Sequence, residues 1–431
     1  MGKKRGPKTS ERDIAEAAYW RVSQPDLSPQ ALARKLGLNA TTLKKRIDEA
    51  VNRGWITNDW IFRLAPSKLD EVLAATTASQ SENALIEHFG RKQLPKLTVV
   101  PAWPPKGATV GDEKEIEETN RRMVAHRAAQ ILLERLPCMK DIGLLYGRTL
   151  RILVDELEHY SIAERVPPLA VAPQESPNPD DPSPPSSQNE PERTIYTIMG
   201  ALSFPFTDER HGDYLEYSAS HLTNRLAKVL GRNCKRYFLD TPVYVPLAFL
   251  DEHSGDKPSG GIGENKALEI AAEFVKHIPT YHDLFDNGED SAINKLDTII
   301  SSVGDLETGF GTRPDKLAPF LREHEKKILL SEAVGDIAGR YVAQDGGTGK
   351  KGTTIANVNA RIFGLELQHL ESIAERAEKN NTPGVIVIAA SPAKAKVIFA
   401  LLNRTPKVIS ELIISDDLAK KLLELCKNER L

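Results

Sequence analysis

The sequence predicts an α/β protein with a small helical head joined to a larger α/β domain, and three observations lead there. Positive charge gathers at the start: residues 1–63 hold 13 Lys and Arg against seven Asp and Glu, whereas all 431 residues together carry −3. Two short helical patterns separated by a glycine follow one another between Ser28 and Arg53. Further on, apolar runs of strand length alternate with amphipathic helical periods, as in a largely parallel sheet with helices on both faces. The expected division is residues 1–66 and 67–431.

In the head, Ser10 opens a helix over 10–24 that stops before Pro25. Ser28 is an N-cap with Pro29 at the first helical position, so a second helix starts there and ends at Gly37. Asn39 caps a third, in which Leu43, Ile47, Ala50 and Val51 share one face and Thr41, Lys44, Lys45 and Asp48 the other. Trp55 to Ile61 reads as a hairpin about Asn58-Asp59, with Trp55 and Trp60 as packing residues.

A helical stretch and a strand at Leu97–Val100 follow, then an amphipathic helix over Arg121–Leu136. Strands are expected at 142–146, 194–199, 236–240, 298–303, 361–365, 384–389 and 412–415. Helices are expected at 149–162, 217–230, 264–277, 368–379, 391–402 and 416–427. Between Pro167 and Pro191 lie nine of the 28 prolines without apolar periodicity, which predicts a disordered insertion. Residues 251–263 read as a second loop.

Composition excludes several classes. No apolar run reaches the roughly 20 residues that span a bilayer, and the basic N-terminus lacks the apolar core of a signal peptide. Cys138, Cys234 and Cys426 are scattered and odd in number, which fits a reducing cytoplasm and excludes a disulfide framework or a cysteine-rich zinc site. His-Glu-x-x-His is absent, and the ten histidines form no triad, so no metal, cofactor or catalytic residue is expected. Gly346 to Lys351 lacks the first glycine and the hydroxyl residue of a phosphate loop; Gly261-Ile262-Gly263 lacks a third glycine and a preceding strand.

Residues 28–53 have the dimensions of a helix-turn-helix, and the hairpin stands where a wing would. With the basic arm Lys3, Lys4, Arg5 and Lys8, this points to double-stranded DNA, with Asn39, Thr41, Thr42, Lys44, Lys45 and Arg46 as the candidate contacts. In the larger domain two strand-to-helix junctions carry a cation where the helix dipole disfavours one. They are Gly147-Arg148-Thr149 and Ser391-Pro392-Ala393-Lys394. An anion bound there would reverse the sign, which suggests a phosphorylated ligand at the carboxyl edge of the sheet. Asp305 and Asp336, each after a glycine, could bind ligand hydroxyls or make turns, while Asp416, Asp417 and Ser391 are explained as caps.

Several segments resemble the SorC-type transcriptional regulators of the SorC/DeoR group. They are ARKLGLNATTLKKRIDEAVNRGWI, LIEHFGRKQLPKLTVVP, IGLLYGRTL, VGDIAGRYVAQDG, RIFGLELQHLESI and the run from Val385 to Leu423, in the family's order over most of the chain. The resemblance implies a winged helix-turn-helix joined to a Rossmann-like effector domain related to sugar-phosphate isomerases and deaminases. It implies an effector site at Gly147, Arg148, Thr149 and Lys394, with Gly200 and Asp305 as further candidate effector residues, and a homodimer or homotetramer. Ala390-Ser391 stands where the family has a glycine pair, Met199 to Leu202 replaces a glycine-richer turn, and the proline-rich insertion is unusual.

The expectation is a cytoplasmic, non-membrane, non-enzymatic regulator whose operator binding responds to a phosphorylated sugar. The alternatives are an isomerase- or deaminase-like enzyme with an accessory DNA-binding domain, and a DNA-associated protein whose α/β domain has lost its ligand.

Overall fold

The computed structural model describes residues 10–24, 27–53, 55–58, 62–64, 76, 78–94, 96–103, 112–165, 192–200, 218–231, 233–239, 241–245, 247, 250, 262–286, 288–306 and 320–428. They form two compact units, residues 1–124 with 389–395 and 412–431, and residues 125–388 with 396–411. The proline-rich segment 167–191, the basic arm at 3–8 and Trp60 lie outside the described residues.

The first unit begins with α1 (Glu11–Ser23), started by a reciprocal cap: Ser10 Oγ accepts from the Asp13 amide at 3.2 Å and Asp13 accepts from the Ser10 amide at 3.1 Å. Ser28 caps α2 (Pro29–Lys35), and Asn39 caps α3 (Ala40–Asn52) by accepting from the Thr42 amide at 2.7 Å. The turn between α2 and α3 depends on Gly37 at φ 66°, a conformation costly for residues with a Cβ. Ile14, Ala17, Ala18, Leu32, Ala33, Leu43, Ile47 and Ala50 are buried. Strands β1 (Ile56–Asn58) and β2 (Phe62–Leu64) pair antiparallel, Ile56 opposite Leu64. The return strand thus begins at Phe62, one residue after the predicted hairpin ends, and residues 59–61 between the strands lie outside the described residues. Trp55 is buried beneath the Arg53 guanidinium at 5.1 Å, a packing role.

The same unit continues with α4 (Ala78–Gln93), kinked at Gly90, and β3 (Lys96–Val100). Helix α5 (Glu113–Arg135) starts eight residues before the predicted Arg121, since its first two turns are Glu- and Lys-rich and show no apolar stripe.

In the second unit five parallel strands run in the order β11-β7-β4-β5-β6, where β4 is Asp141–Leu144, β5 Arg193–Thr197, β6 Cys234–Tyr237, β7 Thr298–Ser301 and β11 Gly384–Ala389. All six residues of β11 are buried, which explains its uninterrupted apolar sequence. From β4 the chain goes outward through α6 (Arg148–Arg165) to β5, then through α7 (Ala219–Leu230) to β6. It then passes through α8 (Ile262–Lys276) and returns to β7 on the other side of β4. The strand order therefore reverses between β4 and β7, which opens a crevice at their carboxyl ends.

Beyond β7 the sequence reading missed an antiparallel sheet of β8 (Val303–Gly304), β9 (Ala333–Ile337) and β10 (Arg340–Ala343), and helices α9 (Glu323–Glu332) and α10 (Thr354–Asn359). Ala338 and Gly339, both at positive φ, make the two-residue β9–β10 turn. The strand predicted at 361–365 is corrected: only single bridges form, Ile362 to Tyr244 and Gly364 to Met199. The segment's carbonyls turn instead to the Arg340 guanidinium, which receives those of Ile362, Gly364 and Leu365 as acceptors. Helix α11 (Leu367–Asn380) precedes β11, and α12 (Ala395–Leu402) begins after a 3-10 turn at Pro392–Lys394.

Strand β12 (Glu411–Ser415), beside β3, leads into α13 (Asp416–Asn428), which buries Leu418, Ala419, Leu422 and Cys426. Among the described residues no helix is long and apolar enough to cross a membrane.

Candidate functional site

The carboxyl end of β4 sets one wall of the crevice. Gly143 lets the strand sit flush, since a Cβ there would meet Ile198 Cδ1 at 2.8 Å and the Ile299 and Leu296 side chains at 3.2–3.3 Å. Leu145 extends the strand by donating to the Ile300 carbonyl at 3.2 Å. The chain then turns at Gly147, at φ 134°, and α6 begins with Arg148. The Gly147 carbonyl accepts from the Arg151 amide at 2.9 Å, so Gly147 is the N-cap of α6. A glycine cap offers no side chain to the first helical N–H groups, and the positive end of the helix dipole lies at the carboxyl end of β4. Arg148 is half-buried and Thr149 is 2% exposed at this end.

The end of β7 sets the facing wall. After Ser301 the chain leaves the parallel sheet for β8, and Asp305 follows, 3% exposed. Gly304 lies opposite Asp336 of β9, whose carboxylate accepts from the Gly339 amide at 3.2 Å. Gly200 follows β5 and packs against Thr241 so closely that a Cβ would lie 2.2 Å from the Thr241 carbonyl oxygen. Gly147, Arg148 and Thr149 follow β4 and Gly200 follows β5 of the parallel sheet, Asp305 follows β8 of the antiparallel sheet, and Lys394 follows β11 and belongs to the first unit. Lys394 lies in the 3-10 turn before α12, its amide donating to the Ser391 carbonyl at 3.0 Å.

Sequence reasoning missed the residues that hold this edge. Arg340 is buried and donates to the carbonyls of Asn359 and Leu365 at 2.7 Å and of Ile362 at 3.0 Å. Asn359 accepts from the Tyr341 amide at 2.9 Å and donates to the Tyr341 and Thr348 carbonyls, which pins β10 to α10. Tyr244 is buried, and its phenol is pushed well above its usual range by burial and by nearby Asp336, against the opposing pull of Arg340. The one usable sequence signal was Ala338-Gly339 between Ile337 and Tyr341, a two-residue hairpin signature.

In the first unit the six candidate DNA residues divide. Thr41, Lys44 and Lys45 are exposed on α3, and Thr42 is half-buried. Asn39 is occupied as the cap, and Arg46 turns inward to Asp13 at 3.1 Å. Burial raises the Asp13 carboxyl, but hydrogen bonds from Ser10 and the Arg46 and Arg12 charges outweigh it and hold the pKa below the usual value. Among the described residues no group of three or more His, Cys, Asp or Glu side chains could hold a metal ion.

Residues 290–424 match the sequence family described as "Putative sugar-binding domain", and residues 23–57 match the family described as winged helix-turn-helix DNA-binding. No curated protein matches the chain. Among solved structures, the full-length sorbitol operon regulator SorC from Klebsiella pneumoniae is similar at 17% identity and TM-score 0.51, over 96% of this chain and 100% of that one. A transcriptional regulator from Streptococcus pneumoniae TIGR4 is similar at 16% identity and TM-score 0.50, over 81% of this chain and 97% of that one. Residues 23–57 thus match winged helix-turn-helix domains and residues 290–424 match the sugar-binding family, and the fold is that of solved SorC-type transcriptional regulators.

Proposed function

We propose that this sugar-binding regulator takes a phosphorylated sugar as its effector and couples that binding to a double-stranded DNA operator. The reading is supported by the start of α6 at the carboxyl end of β4. There the N-cap is Gly147, which brings no side chain, and the Arg148 cation stands at the positive end of the helix dipole. Buried Asp305 stands at the end of the facing strand and suits a sugar hydroxyl, and Gly200 lets backbone approach closely. Lys394, in the first unit, is proposed as a phosphoryl contact in its own right. Thr41, Lys44 and Lys45 on α3 would meet the DNA, with Thr41 nearest the helix start and so nearest the base edges. The reading includes a cytoplasmic homodimer or homotetramer, since paired half-sites suit a symmetric protein.

An enzyme of isomerase or deaminase type would need an acid/base pair in the crevice. Asp336 is committed to the Gly339 amide, which favours regulation over turnover.

The test is a thermal-shift panel of phosphorylated sugars, in which a ligand at 100 times its Kd adds about 2.7 kcal/mol. Lys394→Ala should then lower affinity for the compound found by about 1.5–3 kcal/mol, the range of a charge-assisted hydrogen bond, and leave ligand-free DNA binding unchanged. If no phosphorylated sugar shifts the melting temperature, or if Lys394→Ala binds it as the parent does, the reading fails.

A further inference from the structure

The first unit contains a line of contacts, buried around Ser415, Asn120 and Trp103, between the Lys394 turn and the helix-turn-helix. Ser415, fully buried at the end of β12, donates its hydroxyl to the Ala390 carbonyl at 2.6 Å, one residue before the Ser391–Lys394 turn. Two residues on, Asp417 accepts from the Asn120 amide group at 3.2 Å. Asn120, 1% exposed, holds Trp103 from both sides: its Oδ1 accepts from the Trp103 amide at 2.5 Å and its Nδ2 donates to the Trp103 carbonyl at 3.0 Å. The Trp103 indole packs edge-on against Trp20 of α1 at 4.5 Å, and Lys35 at the end of α2 sits over the same ring at 5.4 Å. From α1 the Asp13–Arg46 pair reaches α3.

Three features make this more than a route through the interior. The steps between elements are polar contacts of fixed direction or aromatic contacts of fixed geometry, joined by the short backbone from Ser415 to Asp417 and by helix α1, so a displacement at one end misaligns the next partner rather than dissipating in a fluid core. Asn120 is fully committed, one acceptor and two donors, so it cannot follow Asp417 without releasing Trp103. Trp103 meets α1 at Trp20 and α2 at Lys35, so movement there would reach the reading helix through the helices that seat it.

We propose that Ser415, Asp417, Asn120 and Trp103 form a relay that ties the position of the 390–394 turn to the seating of α1 and α2, and so to the orientation of α3. A ligand that draws the turn toward itself would shift the Ala390 carbonyl on Ser415 and loosen or tighten the Trp103 socket. The ligand arm of this proposal rests on Lys394 as an effector contact; the relay itself does not.

The experiment is amide hydrogen exchange by mass spectrometry on the full chain. Ser415→Ala should speed exchange across 28–36 by about two- to tenfold, the worth of one net hydrogen bond, and Asn120→Ala should do the same. In the double variant the two effects should not multiply, because Asn120→Ala has already cut the line. Ser81→Ala is the control. It removes another buried hydrogen bond to the start of α13, from Ser81 to Asp416 at 2.5 Å, and should leave 28–36 at the parent rate. Should Asn120→Ala fail to fold, Asp417→Ala removes the acceptor of the same link and takes its place in the cycle.

Parent-like exchange at 28–36 in Ser415→Ala, multiplying effects in the double variant, or an equal response to Ser81→Ala overturns the relay. Inorganic phosphate then serves as the ligand probe. Protection of 389–395 and a changed rate at 28–36 together in the parent, with only the first in Asn120→Ala, supports transmission. Absence of protection at 389–395 counts against Lys394 as a phosphoryl contact, and the variant cycle still decides the relay.

Discussion

Arg361 and Glu325 form an ion pair at 2.7 Å in which neither side chain is more than 5% exposed. Glu325 also accepts from the Arg322 amide at 2.7 Å, so it both caps α9 and anchors the end of α10. Arg361 Nη1 has no hydrogen-bond partner among the described residues, which makes the guanidinium an expensive group to bury. Arg361→Met should destabilise the chain by about 3–5 kcal/mol, because it strands a buried carboxylate. Adding Glu325→Gln keeps the cap acceptor but removes the charge, and should restore more than half of that loss. Urea unfolding of the two variants measures both.

Glycines at the crevice have different reasons to be there, and alanine separates them. At Gly200 the Thr241 carbonyl leaves no room, so Gly200→Ala must move backbone and should cost about 1–3 kcal/mol or more. At Gly147 nothing lies within 4 Å of the added methyl, and only φ is unfavourable, so the loss should be about 1–2 kcal/mol. Melting curves that rank Gly147→Ala as the worse variant would contradict this assignment.

Basic residues on α3 should separate by readout. Lys44→Ala with Lys45→Ala should flatten the salt dependence of binding to a random-sequence duplex, by about 0.9 in log–log slope for each phosphate no longer neutralised, at unchanged melting temperature. Arg46→Ala breaks the tie to Asp13 and should lower the melting temperature by an amount typical of a partly exposed pair, up to about 1 kcal/mol.

His369 sets a pH limit. Its Nδ1 accepts from the Glu366 amide at 3.0 Å, which requires the neutral ring, and its ring stacks on Phe285 at 5.5 Å. Burial pushes its pKa below the usual 6.5, Glu366 opposes that, and Arg340 reinforces it. A depressed value means that the unfolded chain binds the proton more readily. Stability from this group is complete above pH 6.5 and is lost as pH falls below it toward the folded value. His369→Gln keeps an acceptor at the same capping position without a proton to gain. Its melting temperature should therefore fall less between pH 7 and pH 5 than that of the parent.

The sequence showed most clearly what depends on neighbours in the chain. Ser10, Ser28 and Asn39 cap where their spacing to the next amides requires, and the apolar run at 384–389 is a strand because both faces are covered. Gly147 and Arg148 were legible as a strand-to-helix junction for the same reason. What escaped notice depends on distant partners. Arg340 collects carbonyls 19 to 25 residues further on, which turned a predicted strand into a stapled loop. Thr241 met Gly200 through packing with no local signature, and Arg46 had the same periodicity as the exposed lysines but an acid on another helix to face.

The first unit is assembled from both ends of the sequence, and Asn120 waits for Asp417, 297 residues later. During synthesis at about 5–20 residues per second, the seat of Trp103 therefore stays incomplete for tens of seconds after the helix-turn-helix has emerged. The DNA-reading head would be made early and held in register late. A nascent chain stalled before α13 would carry α3 without the Asp417 contact that completes the seat of Trp103.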